Sequence, residues 1–159
     1  MKARYIYILA LAAALIDQVS KRLILDRLTF DSEIPVAGGL FRLALVHNRG
    51  IAFGMFQSSP VPLMITIITV AAIVYTTVRK GHLPKLLSIS MGLLFGGAVG
   101  NLIDRLHFGY VVDFVDFGFW PVFNFADVAI VSGVFLLAYH MLFCDGKNKD
   151  GVGEAISNE

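Results

Sequence analysis

The chain has 159 residues, of which 57% are hydrophobic and only 16% charged, with a formal net charge of +1. The mean hydropathy is +0.73. This balance gives no electrostatic case for nucleic acid and too little polar surface for a soluble domain, so one polytopic membrane domain over residues 1–159 is expected. One cysteine, Cys144, excludes an intramolecular disulfide, and His47, His82, His107 and His140 are scattered without the spacing of a zinc site.

Lys2 and Arg4 precede an apolar run over 5–16, as they would in a signal peptide. Here the small residues lie inside the run, and Asp17, Lys21 and Arg22 follow in helical style rather than as a cleavage site. The reading is therefore a retained first helix over about 5–25. Asp17 and Lys21 are spaced i,i+4 and can pair.

An outer loop over 26–59 follows. Within it, "LFRLALVHNRGIAFGMF" (40–56) holds apolar residues in strand-like runs, with His47-Asn48-Arg49-Gly50 as a turn between them. A small extracytoplasmic sheet is expected, with Phe53, Met55 and Phe56 as an apolar patch near the lipid; the alternative is a loop that merely packs on the helices. The second span, 60–78, has no charge, and its length of about 28 Å matches the hydrocarbon thickness.

The third span, 86–103, ends in "GLLFGGAVGNLIDR" (92–105). Gly92, Gly96 and Gly100 share one helix face, where small residues let another helix approach closely. Asn101, Asp104 and Arg105 follow one turn further on, at i,i+3 and i,i+4 spacing. A short outer connection then leads to a fourth span over about 125–144, and the tail 145–159 is expected to be solvated.

Four spans put both termini on one side. The segments on that side carry Lys2, Arg4, Arg79, Lys80, Lys85, Lys147 and Lys149; the opposite loops carry Arg27, Arg42, Arg49 and Arg105. The excess of positive charge makes the termini cytoplasmic.

The stretch "GYVVDFVDFGFWPVFNFADVAI" (109–130) carries Asp113, Asp116 and Asp127 and no basic residue. Acids in so apolar a segment are expensive, and their usual reason is function. Anchoring of helix ends by interfacial charge accounts for Arg22 and Arg105 but poorly for Asp113 and Asp127. Gly109, Gly118 and Pro121 allow the chain to turn, so that these two carboxylates can meet and share a proton, one serving as base toward water and the other as acid toward a leaving group. Other nucleophile arrangements, Ser20 beside Lys21, Lys85 with Ser88, and Cys144, lack a suitable partner or lie away from the polar cluster.

Five segments, "DQVSK" (17–21), "HNRGIAFG" (47–54), "GGAVGNLIDR" (96–105), "VVDFVDF" (111–117) and "FNFADVAI" (123–130), together resemble the motif set of bacterial lipoprotein signal peptidase, signal peptidase II. The resemblance implies an all-α membrane protein of four transmembrane helices with a small extracytoplasmic β-containing region. It implies an aspartyl endopeptidase of the bacterial inner membrane that cuts prolipoproteins before a diacylglyceryl-modified cysteine, contacts membrane lipids and takes globomycin-type inhibitors. Position by position, the catalytic pair falls on Asp113 and Asp127. Asp17, Lys21, Asn48, Gly50, Asn101, Asp104, Arg105, Asn124 and Ala126 match further motif positions, which shape and support the site. Asp116 is a third acid that the motif leaves outside the pair. No metal or cofactor is needed, because paired acids handle the proton transfers. The rival readings are a small proton- or cation-coupled transporter subunit, in which Asp17, Asp104, Asp113 and Asp127 form a relay, and a non-enzymatic assembly subunit built on the glycine face.

Overall fold

The computed structural model describes residues 2–29, 32–50, 55–56 and 59–144. The order of elements is α1 (Ala3–Arg27), β1 (Glu33–Val36), a 3-10 turn (Ala37–Gly39), β2 (Phe41–Asn48), α2 (Val61–Lys80), α3 (Lys85–Phe108), β3 (Val111–Asp116) and α4 (Phe125–Phe143). Among the described residues, α2, α3 and α4 are long and apolar enough to cross a membrane. The fold is mostly helical, with one small antiparallel sheet in the order β1-β2-β3.

Three differences from the sequence expectation have physical causes. Helix α3 continues past Asp104 to Phe108 and stops where Gly109 takes a φ of 78° and its N–H bonds to the Arg105 carbonyl; glycine tolerates that left-handed cap at little cost. Strand β2 continues through His47 and ends at Asn48, so that the bend expected over 47–50 comes only at Gly50, whose N–H bonds to Asn48 Oδ1, and the partners of β2 are β1 and β3. The "VVDFVD" run, read as a connection, is strand β3; it is buried on both faces, so it lacks the polar alternation that marks an ordinary strand. Phe53 and the tail 145–159 lie outside the described residues, whereas Met55 and Phe56 are exposed.

Helix α3 is the central element. Its glycines hold its neighbours close: a Cβ at Gly96 would meet the Ala10 carbonyl oxygen of α1 at 2.5 Å, and one at Gly97 would run into the Ala126 carbonyl of α4. Helix α1 presents Ile6, Ala10, Ala14, Asp17, Lys21 and Ile24 inward, one stripe at three- and four-residue spacing. Its opposite face, with Ile8, Leu11, Leu15, Val19 and Leu23, is exposed and apolar.

The C-terminal half of that stripe is ionic. Lys21 Nζ lies 2.7 Å from Asp17 Oδ2, 2.8 Å from Asp104 Oδ2 and 3.0 Å from Asn101 Oδ1. The second oxygen of Asp17 accepts the Ala126 N–H at 2.9 Å, and Asp104 Oδ2 also accepts the Val112 N–H at 3.0 Å. Gln18 joins α1 to α3 again, donating to Asp104 Oδ1 at 2.8 Å and to the Gly100 carbonyl at 3.1 Å. One ammonium thus fixes α1, α3, β3 and the start of α4. Beyond it, Ile24, Leu28, Leu45, Val112 and Phe114 form a core cluster that seats the sheet on the C-terminal end of α1, each buried side chain contributing about 1.5–3 kcal/mol.

Removing Lys21 strands two carboxylates in a dry interior. Lys21→Met is expected to cost about 3–5 kcal/mol of stability, the usual effect of breaking a buried ion pair. Thermal or denaturant unfolding in detergent measures it; a loss below about 1 kcal/mol, the range of an exposed pair, would contradict the role given to this cluster.

Candidate active site

Strands β2 and β3 pair out of regular phase. Arg42 faces Asp116 and Leu43 faces Val115, but Val46 faces Asp113, so Ala44 and Leu45 together stand opposite Phe114. This β-bulge changes which side chains share a face. Beyond it, Val46, Asn48, Val111 and Asp113 all line one cavity. Asn48 Nδ2 donates to Asp113 Oδ2 at 2.9 Å, and Asn48 Oδ1 accepts the Gly50 N–H at 2.9 Å.

Asp127 reaches the same cavity from α4. Asn124 caps that helix: its Oδ1 accepts the Asp127 N–H at 2.9 Å, while Asp127 Oδ2 accepts the Asn124 N–H at 3.3 Å. This reciprocal box fixes the first turn. Asn124 Nδ2 then donates to Asp113 Oδ1 at 2.6 Å, and Asn101 Nδ2 donates to Asp127 Oδ1 at 2.9 Å. One asparagine therefore bridges the two acids, and two others hold them from either side. Phe114 meets Phe125 edge to face at 5.6 Å, a packing contact between β3 and α4 just behind the pair.

The cavity measures about 570 Å³ and is walled by the sheet, α2, α3, α4 and the 120–123 segment. One end is polar, with Asn48, Asn101, Arg105, Asp113 and Asp127; the other is apolar, with Ile65, Leu94, Ala98, Ile130 and Val131. Asp113 is only 1% exposed. Burial, and next the negative charge of Asp127, push its carboxyl up to about 7; the Asn48 and Asn124 amides and Lys21 oppose the shift without cancelling it. Two acids in one such site ionise in turn rather than together.

Arg105 also lines the cavity. It donates to the Gly50 carbonyl at 3.1 Å and to Thr66 Oγ1 at 3.3 Å. The remaining sequence candidates lie behind the wall: Asp17, Lys21, Asp104 and Ala126 belong to the ionic cluster, and Asn124 connects that cluster to the acids. Asp116 lies apart from the cavity, bonded to Arg42 at 2.7 Å.

Several residues of the site escaped the sequence reading. Gln18 lies within the DQVSK motif, where nothing local marks it as the residue that joins α1 to Asp104 and Gly100 of α3. Thr66 is a hydroxyl within a charge-free span, a signal that periodicity alone overlooks. His47, stacked on Tyr110 with ring centroids 3.7 Å apart, forms part of the cavity wall, which neither its place in the expected turn nor the HNRGIAFG motif specifies. Among the described residues, no three His, Cys, Asp or Glu side chains are grouped to hold a metal ion.

Comparison with known proteins bears on this arrangement. A model of the family described as signal peptidase (SPase) II matches residues 9–143. The chain is 45% identical over 143 residues to a lipoprotein signal peptidase of Moorella thermoacetica, covering 88% of this chain and 94% of that protein. It is 38% identical over 136 residues to one of Halothermothrix orenii, covering 86% and 94%. Among solved structures, a bacterial membrane enzyme determined by the in meso method at 2.3 Å superposes with a TM-score of 0.82 at 32% identity, covering 91% of each chain. A similarity that takes in almost the whole chain, in sequence and in fold alike, makes this protein a member of the signal peptidase II family.

Proposed function

We propose that this protein cleaves signal peptides from diacylglyceryl-modified prolipoproteins, just before the lipidated cysteine, with Asp113 and Asp127 as its catalytic pair. As a signal peptidase II it is a membrane peptidase of the aspartyl type. The observation that carries the assignment of the pair is the convergence of these two carboxylates on one cavity, bridged by Asn124. A transporter relay would distribute acids through the depth of the helices, whereas here they gather toward one end, and the relatives are peptidases.

In this reading the shared proton rests on Asp113 below a pH of about 7. Asp127 takes a proton from a water molecule as the water oxygen bonds to the scissile carbonyl carbon, and Asp113 gives its proton to the carbonyl oxygen. On collapse, Asp127 returns its proton to the amide nitrogen as the C–N bond breaks, and one hydroxyl of the tetrahedral carbon restores the proton to Asp113. Asn48, Gly50, Asn101, Arg105 and Asn124 orient the pair and the substrate backbone, while Asp17, Lys21, Asp104 and Ala126 hold the helices that carry it. The apolar end of the cavity suits acyl chains and an apolar signal peptide, and globomycin-type inhibitors would compete there.

Helix α1 serves as a fourth membrane span, since its charged pair is turned inward and neutralised and its outer face is apolar. The whole chain then forms one inner-membrane peptidase domain in contact with membrane lipids. Both termini are cytoplasmic, by the distribution of Lys and Arg, and the acids lie toward the outer face.

Asp113→Asn and Asp127→Asn should each fold and still bind substrate but turn over about 10²–10⁴-fold more slowly, the usual cost of losing a positioned acid or base. Members of one catalytic unit are not additive, so the double variant should be scarcely slower than either single one. Turnover of diacylglyceryl prolipoprotein by purified protein tests this; near-normal cleavage by either single variant would overturn the mechanism.

The raised carboxyl of Asp113 also fixes two pH dependences. Its protonated form is the working acid, so kcat/KM should fall as pH rises through about 7. A native carboxyl near 7, against 3.8 unfolded, means that the folded state binds the extra proton between those values. That stabilisation is complete below the lower value and is lost progressively as pH rises to the higher one. Asp113→Asn carries no such loss, so its melting temperature should gain on the wild type as pH rises from 4 to about 7. Parallel curves for the two proteins would contradict the assignment.

A further inference from the structure

Asp116 is the third acid of the 109–130 stretch, and the catalytic reading leaves it without work. Its surroundings are specific. Asp116 Oδ1 accepts the Gly118 N–H at 2.6 Å, closing a tight turn in which Gly118 has a φ of 78°. Asp116 Oδ2 accepts from Arg42 Nε at 2.7 Å across the β2–β3 pair, and Arg42 Nη1 donates to Glu33 Oε2 at 2.9 Å, so that all three strands are linked. The Gly118 N–H is the largest of the influences that hold the Asp116 carboxyl below its usual range.

The turn that Asp116 closes governs the path of the chain back to the acids. After it, the segment returns to β3: the Phe114 and Val115 N–H groups both donate to the Phe123 carbonyl, at 3.1 and 2.8 Å, and the Phe123 N–H donates to the Val115 carbonyl at 3.1 Å. Phe117, beside Asp116, stacks on Phe123 with rings 10° apart. The segment so returned supplies Trp120, Pro121, Val122 and Phe123 to the cavity wall. The next residue is Asn124, which both caps α4 beneath Asp127 and donates to Asp113.

We propose that Asp116 is a positioning residue: by fixing the Gly118 turn it sets the 120–123 wall and the placement of Asn124 between Asp113 and Asp127. It touches neither the cavity nor the reacting atoms. The proposal rests on the peptidase reading above, and it predicts that what matters in Asp116 is the oxygen facing Gly118 rather than the negative charge. Asparagine keeps that oxygen, whereas alanine removes it.

The test uses the purified full-length enzyme and diacylglyceryl prolipoprotein, with kcat, KM and thermal unfolding measured for Asp116→Ala, Asp116→Asn, Arg42→Met and Asp113→Asn. Asp116→Ala should fold but lose kcat on the order of 10²-fold, because a misplacement of about 1 Å in a catalytic constellation has that effect, and its KM should rise as the wall loosens. Asp116→Asn should recover at least half of the lost kcat on a logarithmic scale. Arg42→Met, which leaves the Gly118 bond intact, should lose less than Asp116→Ala. Wild-type kcat and KM in Asp116→Ala, or an Asp116→Asn as slow as Asp116→Ala, would overturn the proposal. Should Asp116→Ala not fold, amide hydrogen exchange in the wild type decides: the Gly118 N–H should be among the slowest to exchange over 117–123, and an unprotected Gly118 amide would sink the idea. Asp113→Asn separates the two readings. If it is dead while Asp116→Ala is normal, only the positioning role fails; if it is live, the catalytic pair fails first.

Discussion

The Lys21 ammonium lies where no water can solvate it, and an ion there must be satisfied by protein or not be charged at all. It has three N–H donors and three acceptors, from Asp17, Asp104 and Asn101. Each acceptor carries the constraint onward: Asp17 to the Ala126 N–H at the start of α4, Asp104 to the Val112 N–H at the start of β3, Asn101 to Asp127. The contacts that lock the helices to the sheet are thus also the ones that reach Asp127. The buried ion pair is weak evidence for stability as such. Its consequence is register, since helix α4 and strand β3 cannot slide without breaking a bond to the cluster.

From that frame the acids acquire their character. Asp113 is packed into a strand buried on both faces and held by two neutral amides, which cannot repay the desolvation of a charge. Asp127 sits instead in the first turn of α4, bonded to the Asn124 N–H and to the Asn101 amide. The two environments are unlike, which is what the division of acid from base work proposed for the pair requires. Gly97 and Gly100 complete the arrangement by letting α3 approach the carbonyl of Ala126 and the carboxylate of Asp17 so closely that a methyl group does not fit.

Much of this was legible in the chain. The second and third spans show as charge-free runs, and the four-residue spacing of Gly92, Gly96 and Gly100 announces a close helix contact. The pairing of Asp17 with Lys21 follows from helical spacing. The likeness to signal peptidase II rests on five short motifs, because motif positions carry chemistry that composition does not. What stayed hidden was long-range. Nothing local says that Ala44 and Leu45 bulge against Phe114, because a bulge is a property of two strands more than sixty residues apart. Strand β3 went unread because a strand buried on both faces looks like any other apolar run. Gln18 and Thr66 were passed over because a single neutral polar residue on a helix is usually innocuous, and only the partner across the interface gives it meaning.

The central claim is that a rigid polar frame holds two carboxylates that share one proton in a partly dry site. Carboxyl-selective carbon-13 NMR of the aspartates, in the intact enzyme and assigned by the single Asn variants, reads this directly. The account predicts that one proton is retained by the Asp113–Asp127 pair at mildly acidic pH and leaves from Asp113 near 7. Two fully ionised carboxylates at a pH of about 5, above the usual carboxylate range, would contradict it.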